Sequence, residues 1–438
     1  MRQKLYEYAN KLPVIDYHNH LSVPEIKENK RFTDVTELWI TPDPYKHRAM
    51  RMCGVEEFYI TGNATNKEKF IKWCETVPKL IGNPLYAWSY MELKEIFGKV
   101  ELSEPEKLYE KCNTYLAENE VTVNTLLQKF NVQFACPCAS ITDDLSAFEN
   151  NALIAPSLRG DDMVAPTAEF VKKLADVSGS AIYDLKSYCD AICKRLDAFK
   201  NADCKFSDHA IDNEFKFYED DGQNEQRFMS LLNGNATSED KEKLTSYLLV
   251  FLGKQYAKRE FVMQLHIGAE RFTSTRLREI AGPAGGFAGI GNCVHVKTLT
   301  KLLDAIDSTA FGLPKTVLFT LNPADNAVFS VLSGSYAKDG ISGLVTQGPA
   351  WWWCDHQKGI TDMLENTTAF SVLSNFIGMT TDSRSFLSFV RHDYFRRILC
   401  DWISKKVDEG VFPNDFEILK NLVYQLCYEN AKKATGGK

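Results

Sequence analysis

Short apolar runs of strand length alternate along the chain with longer stretches whose apolar residues recur every three to four positions. Eight runs have strand character: Pro13–Tyr17, Val132–Cys136, Leu153–Ser157, Lys205–Asp208, Phe261–His266, Thr316–Leu321, Gly343–Gln347 and Phe376–Thr380. Several are continuously apolar, as strands buried on both faces should be. Amphipathic segments separate most of them, Val296–Ile306 and Phe395–Lys406 among them. Strands that alternate with helices predict an α/β fold with a parallel sheet, and eight of them predict a closed (β/α)8 TIM-type barrel.

Such a barrel takes about 250 residues, and this chain has 438. The largest excess lies after the first strand, over about residues 21–129, and is rich in helix formers and aromatics. It reads as a helical insertion on the face where barrel active sites lie. A second helical excess, Ala168–Phe199, precedes the fourth strand. With no internal repeat and no Pro/Gly/Ser-rich linker, residues 1–438 read as a single elaborated domain.

Composition narrows the picture. The balance of 51 basic and 58 acidic residues gives a net charge of −7. Nucleic acid is a poor partner for such a chain, because phosphate contacts need clustered Lys and Arg. An anionic small molecule stays possible, since one or two arginines in a pocket suffice for a carboxylate. The start of the chain lacks a signal-peptide core, and no run approaches the roughly 20 apolar residues of a membrane span. The expected location is therefore the cytoplasm. The 12 cysteines include no CxxC pair. They read as reduced thiols serving mostly as small core hydrophobes.

The sharpest chemical signal is Asp16-Tyr17-His18-Asn19-His20, at the end of the first strand. Side chains at i and i+2 share a strand face, so His18 and His20 converge where the first loop opens and could bind one divalent ion. Taken alone, the pair reads equally well as polar loop residues. The fifth strand ends in His266, and the eighth leads into Asp382. Three strand ends would thus supply His18, His20, His266 and Asp382 to the mouth of the barrel. For His266 the competing reading is a hydrogen-bonded structural residue. The donor set suits zinc, with manganese or iron as alternatives. The sixth strand ends in Leu321-Asn322-Pro323, without a histidine, so one ion is expected rather than two.

Arg384, two residues after Asp382, and Arg159, at the end of the third strand, are candidates for holding a carboxylate. A surface salt bridge is the plainer reading of Asp382 and Arg384. Tyr45 is a candidate acid or lid residue, or else an aromatic of the insertion core. Trp351, Trp352 and Trp353 follow the seventh strand. Their faces could pack against a sugar or fill space between insertions. His47, His209, His295, His356 and His392 are read as structural.

These features resemble the uronate isomerase (glucuronate isomerase) family of the amidohydrolase superfamily. The likeness runs through Asp16–Leu21, Tyr45–Thr61, Thr76–Gly98, Phe206–His209, Met263–Ala269, Leu321–Asn326, Gly378–Phe386 and on through Arg391–Cys400. The resemblance implies a metal-dependent (β/α)8 barrel and an aldose–ketose isomerisation of hexuronates. D-glucuronate would become D-fructuronate, or D-galacturonate D-tagaturonate. By similarity, His18, His20, His266 and Asp382 match metal and catalytic positions. Tyr45, Arg159 and Arg384 match substrate-contacting positions.

Three stretches depart from the family pattern. Pro44-Tyr45-Lys46-His47 stands where the family has His-Tyr-Lys-Trp. Cys136-Pro137-Cys138-Ala139-Ser140-Ile141 replaces a Thr-Thr-Asp-Asp-Pro run. Phe272-Thr273-Ser274 follows Arg271 where the family has Asn residues. Changed hydroxyl contacts are the usual means of changing a polar substrate, so a different sugar acid is one alternative. A mononuclear metal-dependent hydrolase or lactonase is another, and a non-catalytic sugar-acid binder a third.

The expected mechanism is proton transfer between C2 and C1 through a cis-enediol. Asp382, a metal-bound water, or both move the proton. Tyr45 and Arg384 assist, and Arg159, Arg384, Tyr45, Trp351 and Trp352 contact the substrate. A homo-oligomer is expected.

Overall fold

The computed structural model describes residues 1–149, 151–212 and 214–437. These residues form nine strands in sequence: β1 (Val14–Asn19), β2 (Val132–Ser140), β3 (Ser157–Arg159), β4 (Phe206–Ile211), β5 (Val262–Ile267), β6 (Ala269–Glu270), β7 (Gly289–Ile290), β8 (Thr316–Thr320) and β9 (Val345–Gln347). Seven pair in parallel in the order β1-β2-β3-β4-β5-β8-β9, and β6 and β7 form a small antiparallel hairpin. Helices connect the strands, giving the curled parallel sheet of a TIM-type barrel.

One face each of β1, β2, β4, β5 and β8 fills the interior of the barrel. Ile15 and Tyr17, Phe134 and Cys136, Phe206, Val262, and Val317 and Phe319 form a single buried cluster, closed below by Tyr428 and Ala431. Tyr17 stacks on Phe206 at 5.4 Å. Continuing the two-residue alternation toward the C-terminal ends leads from Phe134 and Cys136 to Cys138, from Phe206 to Asp208, and from Val262 through Gln264 to His266. The core therefore turns from apolar to donor-bearing along the same inward rows.

Two strand expectations shift. The third run, Leu153–Ser157, meets β2 only through an isolated bridge between Ala135 and Ile154, and the ladder begins at Ser157. The eighth run, Phe376–Thr380, is extended and buried but forms no ladder strand. It closes against β1 largely through side chains. The Thr380 hydroxyl accepts from the His18 amide at 3.0 Å. Asp16 accepts from the Thr381 amide and hydroxyl, each at 2.7 Å. Backbone bonds follow from the Asp382 amide to the His18 carbonyl and from the His20 amide to the Ser383 carbonyl.

Between β1 and β2 the chain is helical, with its longest helices over Asn66–Thr76, Pro84–Phe97 and Pro105–Glu118. These helices pack into the same hydrophobic cluster as the helices around the barrel. The excess before β4 forms two helices, Ala168–Ser178 and Leu185–Asn201, each started by a capping side chain, Thr167 or Asp184. Among the described residues, no helix is long and apolar enough to cross a membrane. All twelve cysteines are free.

Candidate metal and catalytic centre

The site begins with Asp16, whose buried carboxylate holds the two chain ends of the barrel together. Asp16 pins Thr380 and Thr381, and the residues two positions on in each segment, His18 and Asp382, are thereby brought face to face. Asp382 Oδ1 lies 3.3 Å from His18 Nε2 and 3.1 Å from His20 Nε2. The indole of Trp352 donates to Asp382 Oδ2 at 2.8 Å. Both Asp382 and Trp352 have left-handed backbones, with φ of 46° and 51°. Two such non-glycine residues joined by a hydrogen bond mark strain held in place by the surrounding fold.

His266, at the end of β5, packs its ring 4.7 Å from that of His18. Its Nδ1 lies 3.7 Å from Asp208 Oδ2. Its Nε2 is buried and has no hydrogen-bond partner among the described residues. Cys138 Sγ sits 3.6 Å from His18 Nδ1 and 3.8 Å from Asp208 Oδ1. Two overlapping donor groups result, His18-His20-Cys138 and His18-Asp208-His266, each with its ligand atoms within 4.8 Å of one another. An orphaned buried imidazole nitrogen beside carboxylate, thiol and further imidazole donors fits a divalent ion.

Electrostatics follow from this crowding. Burial opposes ionisation of Asp382, but the hydrogen bonds from His18 and His20 outweigh it and hold the carboxyl well below its usual range. Burial also disfavours charge on His20, yet Cys138 and Asp382 raise its pKa to about 9. At His266, burial and the neighbouring His18 push the pKa well down, which keeps the ring neutral and able to donate a lone pair.

Tyr45 enters at the start of the helix Pro44–Met52. Asp43 caps that helix by accepting from the amides of Tyr45 and Lys46, and Pro44 supplies the first helical residue. The phenol ring stands against Trp353 at 5.4 Å. Arg391 lies between Tyr45 and Trp88, 5.1 and 4.1 Å from their ring centres. Burial, reinforced by Asp382, raises the Tyr45 pKa well above normal and keeps the hydroxyl protonated as a donor. The helix is held from outside by the loop before β7. Gly286 there has φ +80°, and a Cβ on it would meet the Pro44 carbonyl at 2.3 Å.

The remaining candidates are distributed around this centre. Arg159 pairs with Asp161 at 2.9 Å and lies 3.8 Å from Asp208. Arg384 is partly buried, two residues beyond Asp382. Trp351 packs its ring 4.6 Å from His266 and 6.1 Å from Phe319. Arg271 pairs with Asp212 at 2.7 Å and stands over the Trp352 ring. Of the histidines read as structural, His295 and His356 cap helices, His209 contacts the Tyr256 hydroxyl at 2.8 Å, and His392 lies 3.4 Å from Asp16.

Four residues of the centre escaped the reading of the sequence. Cys138 is an exception among cysteines that mostly fill the core, because it continues the inward row of β2 into the donor cluster. Asp208 does the same on β4. Arg391 and Asp355 are given no role in the sequence reading, and both are buried.

Asp355 offers a test. Burial, opposed by Arg391 and aided by Asp382, pushes its pKa up to about 7. The unfolded carboxyl titrates near 3.9, so between about pH 4 and 7 the folded state holds the extra proton. Stability from this group therefore falls as pH rises through that window and is level above it. In chelator-treated protein, Asp355→Asn should gain stability relative to the parent across that window, by at most about 4 kcal/mol. A difference in melting temperature that stays constant from pH 4 to 8 would contradict the assignment.

A curled parallel barrel that gathers imidazoles, carboxylates and a thiol at the C-terminal ends of its strands defines a class: barrel enzymes with a divalent-ion donor set. The model of one protein family, described as glucuronate isomerase, matches residues 1–434. The uronate isomerase of Mannheimia succiniciproducens is 38% identical over 451 residues, covering 98% of this chain and 96% of that protein. That of Bacillus licheniformis is 39% identical over 441 residues, covering 98% and 93%. The crystal structure of uronate isomerase from Thermotoga maritima superimposes with a TM-score of 0.91 at 29% identity, covering 99% of this chain and 97% of that one. The chain belongs to the glucuronate isomerase family, and it is an isomerase.

Proposed function

We propose that the chain interconverts aldose and ketose forms of hexuronates, D-glucuronate with D-fructuronate or D-galacturonate with D-tagaturonate. The observation that carries this reading is the Asp382 carboxylate, with one oxygen on His18 and His20 and the other on the Trp352 indole. His18, His20, His266 and Asp382 would hold one divalent ion, zinc in our reading. When bound, the ion supplies positive charge that draws electron density from substrate oxygens.

The chain's own groups do the rest. Arg384 and Arg159 hold the sugar carboxylate, each guanidinium offering paired N–H donors. The Asp382 carboxylate takes the proton from C2 of the aldose and returns it at C1, on one face of a cis-enediol, while O1 gains a proton and O2 gives up its hydroxyl proton, so that the carbonyl moves from C1 to C2. The protonated Tyr45 hydroxyl donates to the sugar oxygen at C1 or C5 as charge develops there. Trp351 and Trp352 wall the substrate from water. The enzyme would work in the cytoplasm as a homo-oligomer, on a small-molecule substrate and without nucleic acid.

The test is turnover of both hexuronates by metal-loaded protein, followed by NMR in D2O. Ketose of unchanged mass is the expected product. A product that has gained water would replace isomerisation with hydrolysis. Turnover of neither hexuronate by protein that holds its ion would point to another sugar acid.

A further inference from the structure

We infer that Cys138 is itself a ligand of the ion, placing a thiolate beside the imidazoles and carboxylate of the centre. The inference rests on the proposal that these residues hold a divalent ion. It goes further, because it adds a soft donor to the set and strengthens the preference for zinc over manganese or iron.

The argument starts from β2. Phe134, Cys136 and Cys138 alternate inward, and the first two are sealed in the barrel core. Cys138 is the first residue of the row to clear that core, and it emerges among donors. Its sulfur lies 3.6 Å from His18 Nδ1, and nitrogens of His18 and His20 share a 4.8 Å sphere with it. A zinc–sulfur bond of about 2.3 Å and a zinc–nitrogen bond of about 2.0–2.1 Å at a tetrahedral angle separate the two donor atoms by about 3.5 Å. The observed spacing matches two ligands of one ion at His18 Nδ1, with His20 in the same donor group, while Asp382 meets the other edge of the His18 ring at Nε2. A second observation is independent of the cysteine. His266, 4% exposed, has an unpartnered Nε2, and its ring faces that of His18 from the opposite strand.

A ligand at Cys138 would add sulfur to donors that are otherwise nitrogen and oxygen. On ligation the thiol gives its proton to solvent, so no redox partner is needed. A thiolate favours zinc and cobalt over manganese or magnesium.

The experiment uses the full chain, stripped with chelator and reloaded with Zn(II) or Co(II). X-ray absorption of the zinc form should show a sulfur shell at about 2.3 Å beside the nitrogen and oxygen shell at about 2.0–2.1 Å. The cobalt form should show a thiolate-to-cobalt charge-transfer band in the near ultraviolet. Cys138→Ser and Cys138→Ala should lose both signals, with zinc affinity lower by at least about 10-fold. One ion per chain with only nitrogen and oxygen neighbours and no such band would overturn the role of Cys138, leaving it a hydrogen-bond partner of His18, while the metal reading stands. Failure to retain any ion would overturn both. The wild-type spectra decide the point even where a variant fails to fold.

Discussion

Asp382→Asn should lower turnover at least about 1,000-fold while the protein keeps its fold. General acid–base groups contribute roughly 100- to 10,000-fold, and this carboxylate is also assigned as an anionic ligand. The amide has the same shape but no charge, and it cannot present oxygens to both sides. One edge must accept from the Trp352 indole, while the other faces His18 and His20. Whichever way the amide turns, its NH2 group replaces an oxygen on one side. The fold should survive, because closure of the barrel depends on Asp16, Thr380, Thr381 and backbone bonds rather than on the Asp382 side chain. The measurement is kcat at saturating hexuronate, alongside the melting temperature and the metal content. Wild-type turnover in this variant would remove Asp382 from the mechanism.

Asp16→Ala should cost about 3–5 kcal/mol of stability, the range for stripping one partner from a buried ionic network. Asp16 is fully buried. It accepts from the Thr381 amide and hydroxyl at 2.7 Å, the Thr380 hydroxyl at 2.8 Å and the Asn19 amide group at 3.1 Å. Burial opposes the charge, but His392, by hydrogen bond and by charge, and then the bonds from Thr381 outweigh it and keep the carboxyl below its usual range. Alanine leaves the donors without an acceptor in a closed interior. Because Asp16 fixes the segments that carry His18 and Asp382, affinity for the ion should also fall by roughly 10- to 100-fold, as for other residues that orient ligands. Denaturant midpoints with and without zinc separate the two effects. A stability loss below about 1 kcal/mol would show that the backbone bonds alone close the barrel.

The order of the strands and the convergence of His18, His20 and Asp382 were legible because they follow from local pattern. Apolar runs mark buried strands, and an HxH at a strand end marks a shared face. The eighth segment was misread as a ladder strand because Thr380 and Thr381 use hydroxyls, and Asp16 a carboxylate, where a strand would use amides and carbonyls. Such bonds leave no periodicity in the chain. Cys138 and Asp208 were legible in principle. They continue the rows set by Phe134 and Phe206, but the inward register is known only once the barrel floor is seen. Asp43, Lys46, Glu92 and Arg391 could not be read as buried at all. Lys46 lies 3.1 Å from Asp43 and 2.9 Å from Glu92, and Arg391 is 3.9 Å from Asp43. Asp43 and Lys46 are neighbours on one helix turn, but they stay hidden only because Glu92 and Arg391 reach them from distant parts of the chain.

The latch between the first strand and the eighth segment has a meaning in time. His18 and Thr380, bonded directly, are 362 positions apart. At about 5–20 residues per second, synthesis of the intervening chain takes roughly 20–70 s. Through that interval the nascent protein carries His18 and His20 without Asp382, and Asp16 without its threonine donors. The paired histidines are made first, yet the centre they belong to is completed only when Asp382 emerges, after the whole intervening barrel has been synthesised.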